Sequence, residues 1–79
     1  MSREQRLFEE IIAHCGLASW IGPGTVLRAL TSVGVQSAEQ ATAADYARAL
    51  PQLKARMAMY LTPTELEQHV RQIEALLHS

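Results

Sequence analysis

The chain has 79 residues, of which 48% are hydrophobic and 19% are charged, and its formal net charge is −1. A chain of this length buries only about 60% of its unfolded surface, so we expect one helical domain spanning residues 1–79, without separate cofactor and substrate domains. The apolar share excludes intrinsic disorder, and the scattered arginines with a single lysine, Lys54, exclude the broad basic face that drives binding to a DNA backbone.

The first predicted element is a helix that starts at the N-terminus. Ser2 and Gln5 have the spacing of a capping box, and Gly16 is a plausible stop. Arg6 and Glu10 are spaced as an i,i+4 ion pair on the outer face. Apolar residues recur every three or four positions and share the inner face: Leu7, Phe8, Ile11, Ile12 and Cys15.

A glycine- and proline-rich turn introduces the second predicted helix. Gly22, Pro23 and Gly24 mark the turn, and Pro23 suits the first helical position because its missing N–H costs nothing there. The helix closes at Gly34, and Val35 is placed for the hydrophobic contact that often follows such a cap. Its inward residues are Val26, Leu27, Leu30 and Val33.

The helix start and stop signals are less regular in the middle of the chain. Two residue pairs have capping-box spacing: Ser37 with Gln40, and Thr42 with Asp45. They predict a short turn at residues 38–41 and a helix over residues 43–49, with Tyr46 and Leu50 facing the core. Pro51 predicts a boundary or kink, or the start of a new helix, because proline removes a backbone donor. Beyond it, four residues are expected to line one side of a helix: Leu53, Met57, Tyr60 and Leu61.

The last predicted helix has the clearest start. Thr62, Pro63 and Glu65 form a capping box with proline at the first helical position, which predicts a helix over residues 63–78. Its apolar stripe is Leu66, Val70, Ile73 and Leu77, and Glu67 and Arg71 support the outer face. Together these elements predict an all-α fold, a compact bundle of four to five short helices.

Residues that carry chemistry are sparse and separated. The histidines His14, His69 and His78 and the lone Cys15 show no pair one helical turn apart, so no metal site is expected. Cys15 continues an apolar stripe, which favours a buried structural thiol over a nucleophile. The carboxylates fall at helix starts or on polar faces. We therefore expect no catalytic residue, no cofactor and no enzymatic activity.

Residues 17–30, LASWIGPGTVLRAL, resemble the helix-hairpin-helix element of DNA-repair and recombination proteins. The resemblance implies that a glycine-rich turn offers backbone N–H groups to a phosphate. Its nucleic-acid-binding residues here would be Gly22, Gly24, Thr25 and Arg28. The chain departs from the family where Trp20 replaces the first turn glycine and Gly24 stands at the usual lysine.

A DNA-binding helix-turn-helix is a further alternative. It would use residues 26–33, then the turn at Gly34 and Val35, then a recognition helix. The segment after that turn, residues 36–44, contains no arginine or lysine, so base and phosphate contacts would be scarce.

Four apolar residues are candidates for contact with a partner. Trp20, the only tryptophan, lies beside Ile21 in a predicted loop, where it is either a lid over the core or a binding hot spot. Met59 lies about 160° from Met57 on a helix and is expected to be exposed. Leu76 and Leu77 are adjacent, so both cannot point fully into one core.

The sequence therefore predicts a non-catalytic protein–protein interaction or regulatory module of a bacterial-type signalling or regulatory system. Its partner would be another protein or a second copy in a homodimer, bound through Trp20, Ile21, Met59 and Leu76. The alternative is a nucleic-acid-binding domain built on the turn from Gly22 to Gly24. Without a signal-peptide core, a membrane-spanning run or paired cysteines, the chain is expected in the cytoplasm with no membrane contact.

Overall fold

Four α-helices and one short 3₁₀ helix make up the computed structural model, which describes residues 3–78. The helices are α1 (Arg3–His14), α2 (Gly22–Thr31), α3 (Ala43–Met57) and α4 (Pro63–His78), and the 3₁₀ helix is Ala38–Gln40. No strand occurs within those residues, and the predicted all-α bundle is confirmed. The proposed Ser2 cap of α1 lies outside the described residues.

The core forms where the apolar faces of all four α-helices meet. Helix α3 packs against both α2 and α4, and α1 packs against α4, α2 and the 3₁₀ helix. The largest of the fully buried side chains are Ile11, Cys15, Val26, Leu30, Met57 and Ile73. The Cys15 thiol donates a hydrogen bond to the Ile12 carbonyl oxygen at 3.0 Å, so the predicted structural role of this cysteine agrees with its position.

Helix α2 ends as its glycine predicted. Gly34 has φ +89°, a left-handed conformation that L side chains rarely adopt. The Val35 N–H bonds to the Leu30 carbonyl oxygen at 3.0 Å, and the Gly34 N–H bonds to the Thr31 carbonyl oxygen at 3.0 Å. This is a Schellman cap, and Val35 packs with Leu30 in the core.

Helix α3 contradicts the predicted boundary at Pro51. The helix is continuous from Ala43 to Met57, with Pro51 inside it. Proline leaves the Ala47 carbonyl without its usual helical donor, but both residues are exposed, so water can solvate that carbonyl. On the opposite face Ala49 and Leu53 are buried, and their packing keeps the two halves of the helix together.

Two of the predicted capping boxes form. The Thr42 N–H donates to Asp45 Oδ2 at 2.9 Å and the Asp45 N–H donates to Thr42 Oγ1 at 3.3 Å. Thr62 and Glu65 make the equivalent bonds at 3.0 and 3.2 Å. Ser37 makes no side-chain cap, so that part of the prediction is wrong.

Of the two predicted surface ion pairs, one is found. Arg71 pairs with Glu67 on α4 as expected, whereas the ion pairs found within residues 3–78 do not include Arg6 with Glu10. Arg48 pairs instead with Asp45, three residues before it on α3, which ties the capping carboxylate to a second donor.

Candidate functional site: an exposed aromatic groove

The largest exposed apolar side chains lie in two loops near the N-terminal end of α2. A groove of about 250 Å³ is formed there, which we call the aromatic groove. Its lining residues are Trp20, Ile21, Gly24, Thr25, Arg28 and Tyr60. The groove is open and somewhat smaller than the roughly 300–1,000 Å³ of sites that enclose small molecules. Its size and openness suit a side chain of a larger partner.

Trp20 stands at the tip of the loop between α1 and α2. The N–H groups of Ile21 and Gly22 both donate to the Ala18 carbonyl oxygen at 2.9 Å, which closes a tight turn around the tryptophan. The side chain is 82% exposed. The possibility that Trp20 is a lid over the core is therefore wrong. Such exposure leaves a large apolar surface in water, and aromatic residues of this kind are enriched at binding hot spots.

Close packing of α2 against α1 holds this loop in place. Gly22 is buried, and a Cβ added there would lie 3.3 Å from Ile12 Cγ2 and 3.4 Å from Cys15 Sγ. The Thr25 hydroxyl donates to the Ile21 carbonyl oxygen at 3.0 Å. The first turn of α2 is thus tied to the core on one side and to the Trp20 loop on the other.

The opposite wall comes from the turn between α3 and α4. The helix ends at Met57, and the N–H groups of Tyr60 and Leu61 bond back to the Met57 carbonyl oxygen at 2.9 and 3.0 Å. Tyr60 is 54% exposed and lines the groove, so its predicted place on a buried helical stripe is wrong. Met59 is 77% exposed, as expected, but it lies in the turn after α3 and not on a helix.

The groove carries positive charge. Arg28 is the one charged side chain among its lining residues. It takes part in none of the ion pairs or side-chain hydrogen bonds found within residues 3–78. The first turn of α2 contains no acidic residue, and Ile21 at the N-cap position supplies no side-chain cap. A helix N-terminus favours negative charge, so its contribution has the same sign as that of Arg28.

The structure brings only some of the predicted contact residues together. Trp20 and Ile21 line the aromatic groove, and Met59 is adjacent to Tyr60 in the chain. Leu76 lies elsewhere, in a second groove near the start of α1 that Leu77 also lines. Both leucines are half-buried and pack against the core, so neither is fully buried and neither is fully exposed.

The four residues of the helix-hairpin-helix alternative differ in their exposure. Gly22 and Thr25 are buried, and their contacts are explained by packing and by the bond to Ile21. Gly24 is exposed, with no atom within 4 Å of an added Cβ, and Arg28 is exposed beside it in the groove. Gly24, Thr25 and Arg28 therefore line the aromatic groove, whereas Gly22 does not.

Sequence reasoning missed Tyr60 as a groove residue and His69 as a link between helices. Tyr60 was placed wrongly because the helical period was extended beyond Met57, and it was extended because no glycine or proline marks the end of α3. His69 Nδ1 lies 3.0 Å from the His14 carbonyl oxygen, a contact that no local pattern announces. Within residues 3–78, no three side chains from histidine, cysteine, aspartate or glutamate are grouped as metal ligands.

No protein-family model, curated protein or solved structure matches the chain. None of the helices in residues 3–78 combines the length and the apolar character required to cross a bilayer.

Proposed function

We propose that the chain is a non-catalytic protein-binding module that recognises its partner through the aromatic groove. The supporting observation is that Trp20 and Tyr60, from two different loops, line the same groove while remaining 82% and 54% exposed. Exposed aromatic pairs of this kind have a large apolar area to bury and little side-chain entropy to lose. Such a module would have a regulatory role in a bacterial-type signalling system.

Two other grooves are less suited to this role. The groove between α3 and α4 has charged walls that include the Glu67–Arg71 ion pair, and the groove near Leu76 presents half-buried leucines among arginines. Binding there would require displacing or desolvating charges, which costs free energy. The aromatic groove offers apolar surface that is already exposed.

Affinity capture with matched variants tests the proposal. Wild-type protein, Trp20→Ala and Leu27→Ala would be immobilised and exposed to lysate of the source organism. Leu27 is the matched control because it lies outside the groove lining and, contrary to its predicted inward position, is an exposed apolar residue, at 37%. We expect a partner that is retained by wild type and Leu27→Ala, is lost with Trp20→Ala, and binds again after separate purification. A partner that binds all three proteins equally contradicts the assignment to this groove.

Nucleic-acid binding is the competing function, since aromatic side chains beside an arginine also stack on single-stranded bases. A single cation in the groove neutralises few phosphates, and phosphate neutralisation dominates such affinities. The sole tryptophan makes fluorescence a direct reporter of the groove. A Trp20 fluorescence change that saturates with oligothymidine at physiological salt would replace the protein-binding proposal.

A further inference from the structure

The chemistry of the aromatic groove restricts the kind of partner that fits it, provided that the protein-binding function proposed above is correct. The walls contributed by Trp20, Ile21 and Tyr60 are apolar, and Arg28 supplies the only charge. An occupant that satisfies both features carries an apolar side chain next to a carboxylate.

The charge of Arg28 is available to a ligand. The side chain is exposed and has no ion-pair partner among the described residues, unlike Arg48 and Arg71, which pair with carboxylates on their own helices. No carboxylate lines the groove, so an incoming acid meets no like charge there. The guanidinium presents several N–H donors in a planar fork that matches a carboxylate.

A second copy of the chain fits this surface poorly. A two-fold symmetric dimer places the same patch on both sides of the interface. Two aromatic grooves facing each other would place two Arg28 side chains, and no carboxylate of either groove, in the interface. The charge pattern therefore favours a different protein, one that carries the missing acid.

We infer that the aromatic groove binds a short acidic segment of a partner protein, in which an apolar side chain packs against Trp20 and Tyr60 and a neighbouring carboxylate pairs with Arg28. The apolar contact supplies most of the affinity, and the ion pair selects for the acidic sequence. Basic segments and neutral apolar segments bind more weakly at the same site.

Selection from a library of short random peptides tests this inference with the full 79-residue chain. The library would be selected in parallel on wild type, Trp20→Ala, Arg28→Glu and Arg6→Glu. Arg6 is the charge-matched control because it is exposed on α1 and lies outside the groove. We expect wild type and Arg6→Glu to enrich peptides that combine an apolar residue with aspartate or glutamate, and Arg28→Glu to enrich lysine or arginine instead.

A selected acidic peptide would then be titrated while Trp20 fluorescence is recorded. We expect Arg28→Glu to weaken its binding by about tenfold, because an attraction is exchanged for a repulsion. Replacing the peptide carboxylate with its amide should weaken binding to wild type by about threefold and leave binding to Arg28→Glu unchanged or stronger. Circular dichroism of each variant would establish that the helices are retained.

The other outcomes are each decisive. Peptides that require Trp20 but show no acidic preference, or ignore Arg28→Glu, would overturn the inference and leave the protein-binding function in place. Failure to enrich any Trp20-dependent peptide, or tighter binding of oligothymidine than of every selected peptide, would overturn both. Self-association that is abolished by Trp20→Ala, measured by sedimentation, would replace the acidic segment with a second copy of the chain.

Discussion

His69 Nδ1 donates a hydrogen bond to the His14 carbonyl oxygen at 3.0 Å, so a side chain of α4 caps the C-terminal end of α1. The acceptor is a carbonyl, and Nδ1 must therefore carry a proton in this contact. The ring of His69 lies over Gly16, where an added Cβ would meet His69 Nε2 at 2.6 Å. Gly16 is thus required both for its φ of +75° and for the space that the ring occupies.

Two glycine variants separate these requirements. Gly16 and Gly34 both have positive φ, but an added Cβ at Gly34 meets no atom within 4 Å. We expect Gly34→Ala to lower the free energy of unfolding by about 1–2 kcal/mol, the cost of a left-handed alanine. Gly16→Ala should cost about 1–3 kcal/mol more, because the His69 ring must move. Urea denaturation measures both values.

The double variant provides the control. Adding His69→Ala to Gly16→Ala removes the clash, so the two effects should be less than additive in a double-mutant cycle. Equal losses in Gly16→Ala and Gly34→Ala would show that His69 does not restrict the space above Gly16.

Trp20→Ala is expected to leave stability almost unchanged. The side chain is 82% exposed, so its removal should alter the free energy of unfolding by no more than about 0.5 kcal/mol. The buried Leu53 is the contrast, since Leu53→Ala should cost about 2–5 kcal/mol. Thermal or urea denaturation followed by circular dichroism makes the comparison. A loss above about 1 kcal/mol on Trp20→Ala would indicate that this loop supports the fold.

Pro51→Ala should stabilise the protein. Proline in a helix interior costs about 3 kcal/mol relative to alanine, offset in part by its effect of about 0.4–1 kcal/mol on the unfolded chain. We expect a net gain of about 2 kcal/mol in the free energy of unfolding, measured in urea. Gln52→Ala, at the next exposed position, should change it by less than about 0.5 kcal/mol. A destabilised Pro51→Ala variant would mean that the proline ring packs favourably in α3.

Tyr46→Phe should also be neutral or stabilising. The Tyr46 hydroxyl is buried and has no hydrogen-bond partner in the described part of the chain. Removing an unsatisfied hydroxyl of this kind should raise the free energy of unfolding by about 1 kcal/mol. A loss of similar size in chemical denaturation would mean that the hydroxyl is satisfied in solution.

The same residue predicts an alkaline transition. Burial, with a smaller effect of the Asp45 charge, raises the pKa of the Tyr46 hydroxyl well above its usual value near 10. The unfolded chain releases this proton first, so stability falls as the pH rises above about 10. Tyr46→Phe should lose less stability than wild type between neutral and alkaline pH, which urea titrations at several pH values would show.

The two capping boxes predict sensitivity to acid. A hydrogen bond from the Thr42 backbone N–H, followed by one from Arg48, lowers the pKa of Asp45 below 3.8. The Thr62 backbone N–H similarly lowers the pKa of Glu65 below 4.5. Both pKa values are depressed in the folded state. The two carboxylates therefore stabilise the fold at pH values above their unfolded-state pKa values, and this stabilisation is lost as the pH falls through the folded-state pKa values.

Variants without the carboxylates test that assignment. Asp45→Asn and Glu65→Gln should each unfold more readily than wild type near pH 6 and lose less stability on acidification. Glu9→Gln is the matched control, since Glu9 is exposed and makes none of the side-chain hydrogen bonds found within residues 3–78. An identical pH dependence of stability in all four proteins would show that the capping carboxylates do not cause the loss of stability in acid.

The sequence alone determined the helical class, the start of α4 and most of the buried residues. The Thr42 and Thr62 caps, the Schellman cap at Gly34 and the apolar stripes depend on partners a few residues apart in the chain, so a local pattern contains all the information required.

Only the tertiary structure decided the continuity of α3, the position of Tyr60 and the use of His69. Packing on one face of α3 outweighs the local preference of Pro51 to break a helix, and such a balance is invisible in the sequence. Trp20 and Tyr60 line one groove, and His69 reaches a carbonyl 55 positions away, because the helices pack together. Contacts between distant residues have no local period, and the candidate site depends on one such arrangement, that of Trp20 and Tyr60.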